Sequence, residues 1–114
     1  MNYYEEITRS QFANYKYDDN PILLKFNKSE LERLKDLKYL IDVENNIISG
    51  YTETSIRMFR AGTSLLIFKI PDEWYLIHAR KLDVDKSGLY LPTSSFIYYR
   101  CDQMEGLIIC IKDI

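Results

Sequence analysis

Glycine and proline are scarce in this chain, four and three among 114 residues. Gly50, Gly62, Gly88 and Gly106 stand apart, so no glycine-rich loop exists to cradle a phosphate. Histidine occurs once, at His78, and cysteine twice, at Cys101 and Cys110. Without a C-x-x-C pair or a Cys/His cluster, the ligand set of a zinc site is missing. The patterns G-x-S-x-G and H-E-x-x-H are absent, as is any clustered carboxylate pair that would demand acid–base chemistry. The sequence therefore assigns no catalytic, cofactor-binding or metal-ligating residue, and no cofactor. Long apolar runs are missing as well: residues 65–68 and 107–111 fall far short of the ~20 a spanning helix needs, and no membrane contact is expected. Positive charge is not in excess, the formal net charge being -2. A chain that lives on phosphate backbones is normally basic.

What is present is enough for one folded unit. Residues 1–114 make a single domain, since two halves would each be too small to bury a core. The hydrophobic share is 46% and the charged share 28%, both near the average of globular chains. Phe, Tyr, Met, Ile, Asn and Lys together make 47 residues, against 16 of Gly, Ala, Arg and Pro. Fourteen Ile against two Val point the same way. Strand-rich folds favour Ile and Tyr, but that does not explain so little Ala and Gly. An AT-rich genome does: a low-GC bacterium, a phage or a large DNA virus. The first residues have neither the basic flank nor the apolar stretch of a signal peptide, so a reducing, intracellular setting is expected. Read as parts of one helix, Cys101 and Cys110 would lie ~13 Å apart on opposite faces, too far for a disulfide.

Periodicity gives an order of elements. Residues 3–15 place Tyr4, Ile7, Phe12 and Tyr15 on one helical face, with Asn2 and Glu5 at capping distance. Residues 17–21 read as a loop ahead of Pro21, and residues 22–26 as a short strand. Ser29 and Glu32 form an S-x-x-E capping box, and Leu31, Leu34, Leu37, Leu40 and Ile41 then run as one helical face to about residue 42. From residue 46 the period moves toward two, with Ile56 and Met58 alternating against Arg57 and Phe59. Residues 61–63 read as a turn. Residues 64–70 and 73–81 read as a β-hairpin about Pro71-Asp72, a pair suited to a tight turn. In its second strand Trp74, Leu76, His78 and Arg80 share one side, while Tyr75, Ile77 and Ala79 share the other. Residues 82–92 read as a loop, residues 95–100 as a strand and residues 101–111 as a helix opened by Asp102 and Glu105. Gly106 is an awkward member of that helix, costing ~1 kcal/mol relative to Ala. The expected fold is α+β: an antiparallel β-sheet of about four to six strands with two or three helices packed on it, covering one face.

Three local patterns invite a functional reading. Asp83-Val84-Asp85-Lys86-Ser87-Gly88 matches the first half of a calcium loop, but the twelfth position is Ser94 where a bidentate Glu belongs. A polar turn is the better reading. His78 could serve catalysis only with Cys101, Asp72 or Asp102 brought beside it by folding. Arg57, Arg60, Lys69, Arg80, Lys81 and Arg100 interleave with Phe59, Phe68, Trp74, Tyr98 and Tyr99, as on sheets that stack bases and steer phosphates. Ten tyrosines, among them Tyr3, Tyr4, Tyr15 and Tyr17, supply the amphipathic contact area enriched where proteins meet.

Asp72-Glu73-Trp74-Tyr75, followed by Tyr98-Tyr99-Arg100-Cys101-Asp102-Gln103 and Gly106-Leu107, resembles small proteins of giant, mimivirus-like DNA viruses over residues 65–112. The resemblance carries no activity and no site residues, but it agrees with the codon bias. The leading expectation is a non-enzymatic viral accessory or structural protein, in the host cytoplasm or the virion, that binds another protein or a further copy of itself. Its expected binding surface is Arg57, Phe59, Trp74, His78, Arg80, Tyr98 and Arg100. The alternatives are a single-stranded RNA- or DNA-binding domain on the same basic, aromatic face, and a small enzyme built around His78.

Overall fold

A computed structural model describes residues 3–17, 23–48 and 51–114. Its elements in chain order are β1 (Tyr4–Ile7), α1 (Arg9–Tyr17), α2 (Lys28–Lys35), β2 (Leu40–Ile48), β3 (Tyr51–Arg60), β4 (Thr63–Ile70), β5 (Trp74–Val84), β6 (Tyr90–Asp102) and α3 (Gln103–Asp113). The six strands form one antiparallel sheet in the order β1-β6-β5-β4-β3-β2. From β2 to β6 each strand pairs with the next in sequence, while β1 adds at the far edge beside β6. The α+β expectation holds, with the strand count at its upper end and three helices.

The hairpin of β4 and β5 follows the period-two reading closely. Ile70 pairs with Trp74 and Thr63 with Lys81. The three linking residues turn tightly by placing Asp72 (φ 66°) and Glu73 (φ 60°) in the left-handed region. The preceding turn uses Gly62 at φ 77°, a conformation glycine adopts without strain.

Alternation sorts the strands onto two faces. One face carries Ile56, Met58, Leu65, Ile67, Tyr75, Ile77, Ala79 and Cys101, all buried beneath Leu34 of α2 and Met104, Leu107, Cys110 and Ile111 of α3. The opposite face buries Ile7, Phe68, Ile70 and Leu76 against Phe12 of α1. Helices therefore sit on both faces, correcting the expectation that one face takes them all. A strand with apolar residues on both sides feeds two cores, and β4 and β5 are such strands.

Several boundaries differ from the sequence reading. Residues 3–15 are a strand followed by a helix: Glu5 lies in β1, and the helix starts after Thr8. Thr8 Oγ1 accepts from the Gln11 amide at 3.1 Å, and Gln11 Oε1 accepts from the Thr8 amide at 2.9 Å. That reciprocal pair is a capping box six residues beyond the one expected, whose Asn2 lies outside the described residues. Of residues 22–26, only Leu24 makes a strand-like contact, its amide donating to the Lys69 carbonyl at 2.8 Å; Ile22 is outside the description, as are residues 18–21 of the expected loop.

The box that opens α2 is Asn27 with Glu30, not Ser29 with Glu32. Asn27 Oδ1 accepts from the Glu30 amide and Glu30 Oε1 from the Asn27 amide, both at 2.8 Å. The helix ends at Lys35, well before residue 42. Lys38 turns the chain at φ 62°, which sends Leu40 and Ile41 into β2. Residues 82–92 are not a single loop: β5 continues to Val84 and β6 begins at Tyr90.

The ending at α3 is helical, as expected, but its start is built differently. Asp102 occupies the N-cap position without a side-chain cap bond. Its amide donates instead to the Tyr3 carbonyl at 2.8 Å, and the Gln103 amide to the Glu73 carbonyl at 2.9 Å. Cys101 closes β6 while Cys110 sits in α3. The two thiols are free and buried, and they meet: hydrogen bonding to Cys110, with burial added, pushes the Cys101 thiol up. The ~13 Å separation expected for one helix fails because the chain folds back between them.

Candidate functional site

All seven residues of the expected binding surface fall on the face that α1 covers. Strand register lines them up in rows across the sheet. One row runs Asp42, Arg57, Leu66, His78, Tyr98 and Ile7 from β2 to β1. The next runs Leu40, Phe59, Ser64, Arg80 and Phe96. Trp74, Leu76 and Arg100 lie further along β5 and β6 on the same side.

This face has a closed end and an open end. At the closed end Phe12 of α1 is buried, its ring 4.9 Å from Tyr98 and 5.9 Å from His78. The Arg100 guanidinium is held there by three contacts. It pairs with Glu5 at 2.7 Å, donates to the Tyr15 hydroxyl, and lays its guanidinium 4.4 Å from the Trp74 ring centre. His78 stacks on Tyr98, with centroids 4.7 Å apart and planes 15° apart. The aromatic faces of Trp74 and Tyr98 are thus already occupied by the protein's own cations and rings.

The open end is the row beyond α1. Leu40 is 76% exposed, Phe96 52% and Phe59 37%. Arg80 lies 5.6 Å from the Phe96 ring centre, and exposed Arg57 stands cross-strand from Asp42. Singly exposed apolar residues are ordinary. A leucine and two phenylalanines in one row, with an arginine among them, have the composition of a protein-binding patch.

The six basic residues divide between the faces, Arg57, Arg80 and Arg100 on the α1 side and the rest on the other. Arg60 lies on the other face, 4.6 Å over the Tyr39 ring. Lys69 is bonded to Glu30 at 2.8 Å. The tyrosines divide too. Tyr4 packs edge-on to Tyr99 and donates to Asp113 at 2.6 Å, a bond that pushes its hydroxyl up to about 12. Tyr15 lies on the opposite face with Arg100, and the Tyr17 side chain is outside the description. The amino-terminal tyrosines therefore do not form one surface.

Catalysis around His78 loses its proposed helpers. Cys101 is buried on the opposite side of the sheet. Asp102 pairs with Trp74, four residues or ~13 Å along β5 from His78, and Asp72 lies farther still, in the turn. The calcium-like segment folds as a closed turn. Asp85 Oδ1 accepts from the Ser87 amide at 2.9 Å, the Ser87 hydroxyl at 2.6 Å and the Leu89 amide at 2.9 Å. The Ser87 hydroxyl bond leads in holding the Asp85 carboxyl below its ordinary value. Among the described residues no three His, Cys, Asp or Glu side chains converge as a metal site, and no helix is long and apolar enough to cross a membrane.

One buried polar cluster escaped the sequence reading. Glu30 accepts from Lys69 and the Tyr75 hydroxyl as well as from Asn27. Burial alone would raise its pKa, but the Asn27, Lys69 and Tyr75 bonds prevail and lower it. The Asn-x-x-Glu spacing was the available signal; the Lys69 and Tyr75 contacts needed the fold. No protein-family model, curated protein or solved structure matches this chain.

Proposed function

We propose that this chain is a protein-binding module whose contact surface is the open end of the α1-covered face. The observation that carries this reading is the row of Leu40, Phe59, Arg80 and Phe96, exposed beyond α1 while Phe68, Ile70 and Leu76 of that face are buried. Aromatic and arginine side chains are the residues most often dominant at protein contacts. The nucleic-acid alternative uses the same face, but it needs free stacking surfaces. Trp74 and Tyr98 are covered by Arg100 and His78. The codon bias and the giant-virus resemblance support a viral accessory or structural role in the host cytoplasm or the virion.

The test is recovery of a stoichiometric partner on immobilised protein, with nuclease present, compared between wild type and Phe59→Glu/Phe96→Glu. The reading expects a partner retained by wild type and lost by the variant. A partner that disappears with nuclease, or that the variant keeps, contradicts it.

A further inference from the structure

The two edges of the sheet are unlike. β1 is four residues long and carries Glu5 and Glu6, and short, charged edge strands resist pairing with other chains. β2 is nine residues long, has no Lys, Arg or Pro, and pairs with β3 in unbroken register. Among the described residues, no strand pairs with its outer side.

The far half of β2 also lacks the support its near half has. β2 and β3 pair out to Ile48 and Tyr51, but β3 pairs with β4 only from Ile56 to Arg60. Beyond Ile56, Leu24 bonds to Lys69 in the place β3 would continue to occupy. Among the described residues, 44–48 and 51–55 therefore pair only with each other, and a two-stranded ribbon alone is at best marginally stable in water. A third strand is what it wants.

We propose that a second copy of this chain supplies that strand, β2 pairing antiparallel with β2 of the partner subunit about a two-fold axis at Asn45. The register follows from the hairpin. Two residues link Ile48 to Tyr51, and the pair closing such a loop exchanges both backbone bonds. Alternation then gives β3 the backbone groups of Ile48, Asn46, Glu44, Asp42 and Leu40. The groups of Ile47, Asn45, Val43 and Ile41 point outward.

Three symmetric registers use those outward groups with seven or more residues of β2 overlapping, and charge chooses among them. An axis at Glu44 sets that residue opposite Glu44 of the partner subunit. An axis at Val43 sets Asp42 opposite the partner's Glu44, twice. An axis at Asn45 sets Asp42 opposite the partner's Ile48 and Glu44 opposite the partner's Asn46, so no carboxylate faces another. It also takes in all of residues 44–48. The isologous pairing closes on itself and leaves the face carrying Phe59, Arg80 and Phe96 outside the contact. The proposal therefore stands apart from the reading of that face.

Sedimentation equilibrium of the full chain tests it. The expected result is a concentration-dependent dimer of the 13.6 kDa chain. Asn45→Pro, which removes only an outward amide, should be monomeric with unchanged circular dichroism and melting temperature. A second pair of variants covers the case in which proline disturbs the hairpin. Asn45→Cys should form a disulfide-linked dimer on mild oxidation, because directly opposed bonded positions lie ~5.5 Å apart, and Glu44→Cys should not. A wild-type chain that stays monomeric at its highest soluble concentration overturns the proposal. So does a folded Asn45→Pro that still dimerises, or cross-linking through Glu44→Cys in place of Asn45→Cys.

Discussion

Gly106→Ala sets two physical effects against each other and lets the fold decide the sign. In an ordinary helix the change stabilises by ~1 kcal/mol, because Ala outranks Gly by about that much. Here a Cβ at position 106 would lie 2.2 Å from the Tyr3 carbonyl oxygen, 3.1 Å from its carbon and 3.3 Å from the Tyr3 Cβ. The nearest atom is backbone, so either α3 or the start of β1 must move by more than 1 Å to reach ordinary contact. That movement strains the bond from the Asp102 amide to the Tyr3 carbonyl, 2.8 Å in the native fold. Overpacking of this kind costs about 1–3 kcal/mol, and a disturbed backbone hydrogen bond adds ~1 kcal/mol. Setting the helix gain against these leaves a net loss of about 1–3 kcal/mol, or a fall of roughly 5–20 °C in melting temperature for a domain of this size. Thermal unfolding by circular dichroism measures it, and amide exchange in Tyr4–Ile7 locates it, since β1 is the element displaced. An unchanged or raised melting temperature would refute the close approach of Tyr3 to α3.

Other outcomes follow from the same structure. Glu30→Gln removes the anion that Lys69, Tyr75 and the Asn27 amide all address, and denaturant unfolding should show a loss of about 1–3 kcal/mol at neutral pH. Because the native Glu30 pKa lies below its ordinary value of 4.5, its contribution is complete above 4.5 and fades as pH falls through the native value. The wild type should therefore lose more stability than Glu30→Gln across that acid window. Glu73→Gly relieves a left-handed backbone at φ 60° and should raise stability by about 1 kcal/mol, read as a higher denaturant midpoint with the same slope. Phe68→Ala empties a fully buried site and should cost about 3–5 kcal/mol. Phe96→Ser, on the open face, should change stability by no more than ~0.5 kcal/mol.

The β4–β5 hairpin was legible because period two, a Pro-Asp turn and aromatic strand residues all agree there. The assignment of Trp74, Leu76, His78 and Arg80 to one side of their strand was legible for the same reason. The boundaries around α1 and α2 were less legible. Leu31, Leu34, Leu37, Leu40 and Ile41 keep helical spacing to the end, and the stop at Lys38 is a left-handed turn that no Gly or Pro announces. Thr8 with Gln11, and Asn27 with Glu30, are capping pairs that stood in the chain beside the more conspicuous Ser29 and Glu32. Which pair works is decided by tertiary contacts, for Glu30 is the residue that Lys69 and Tyr75 reach. Gly106 reads as a defect along the chain and becomes a requirement only when Tyr3 is brought against it. The closed end of the α1-covered face could not be read at all, because the cover supplied by Phe12 and Tyr15 is a contact between distant segments.

Site-specific photocross-linking tests the central claim most directly. A benzophenone side chain replaces Phe96 on the open face, or Ile109, which is 37% exposed on α3 across the sheet. Each protein is then irradiated in nuclease-treated cell lysate. The account predicts one discrete protein adduct from position 96 and none from position 109. Adducts from position 109 alone, or none from position 96, would contradict it.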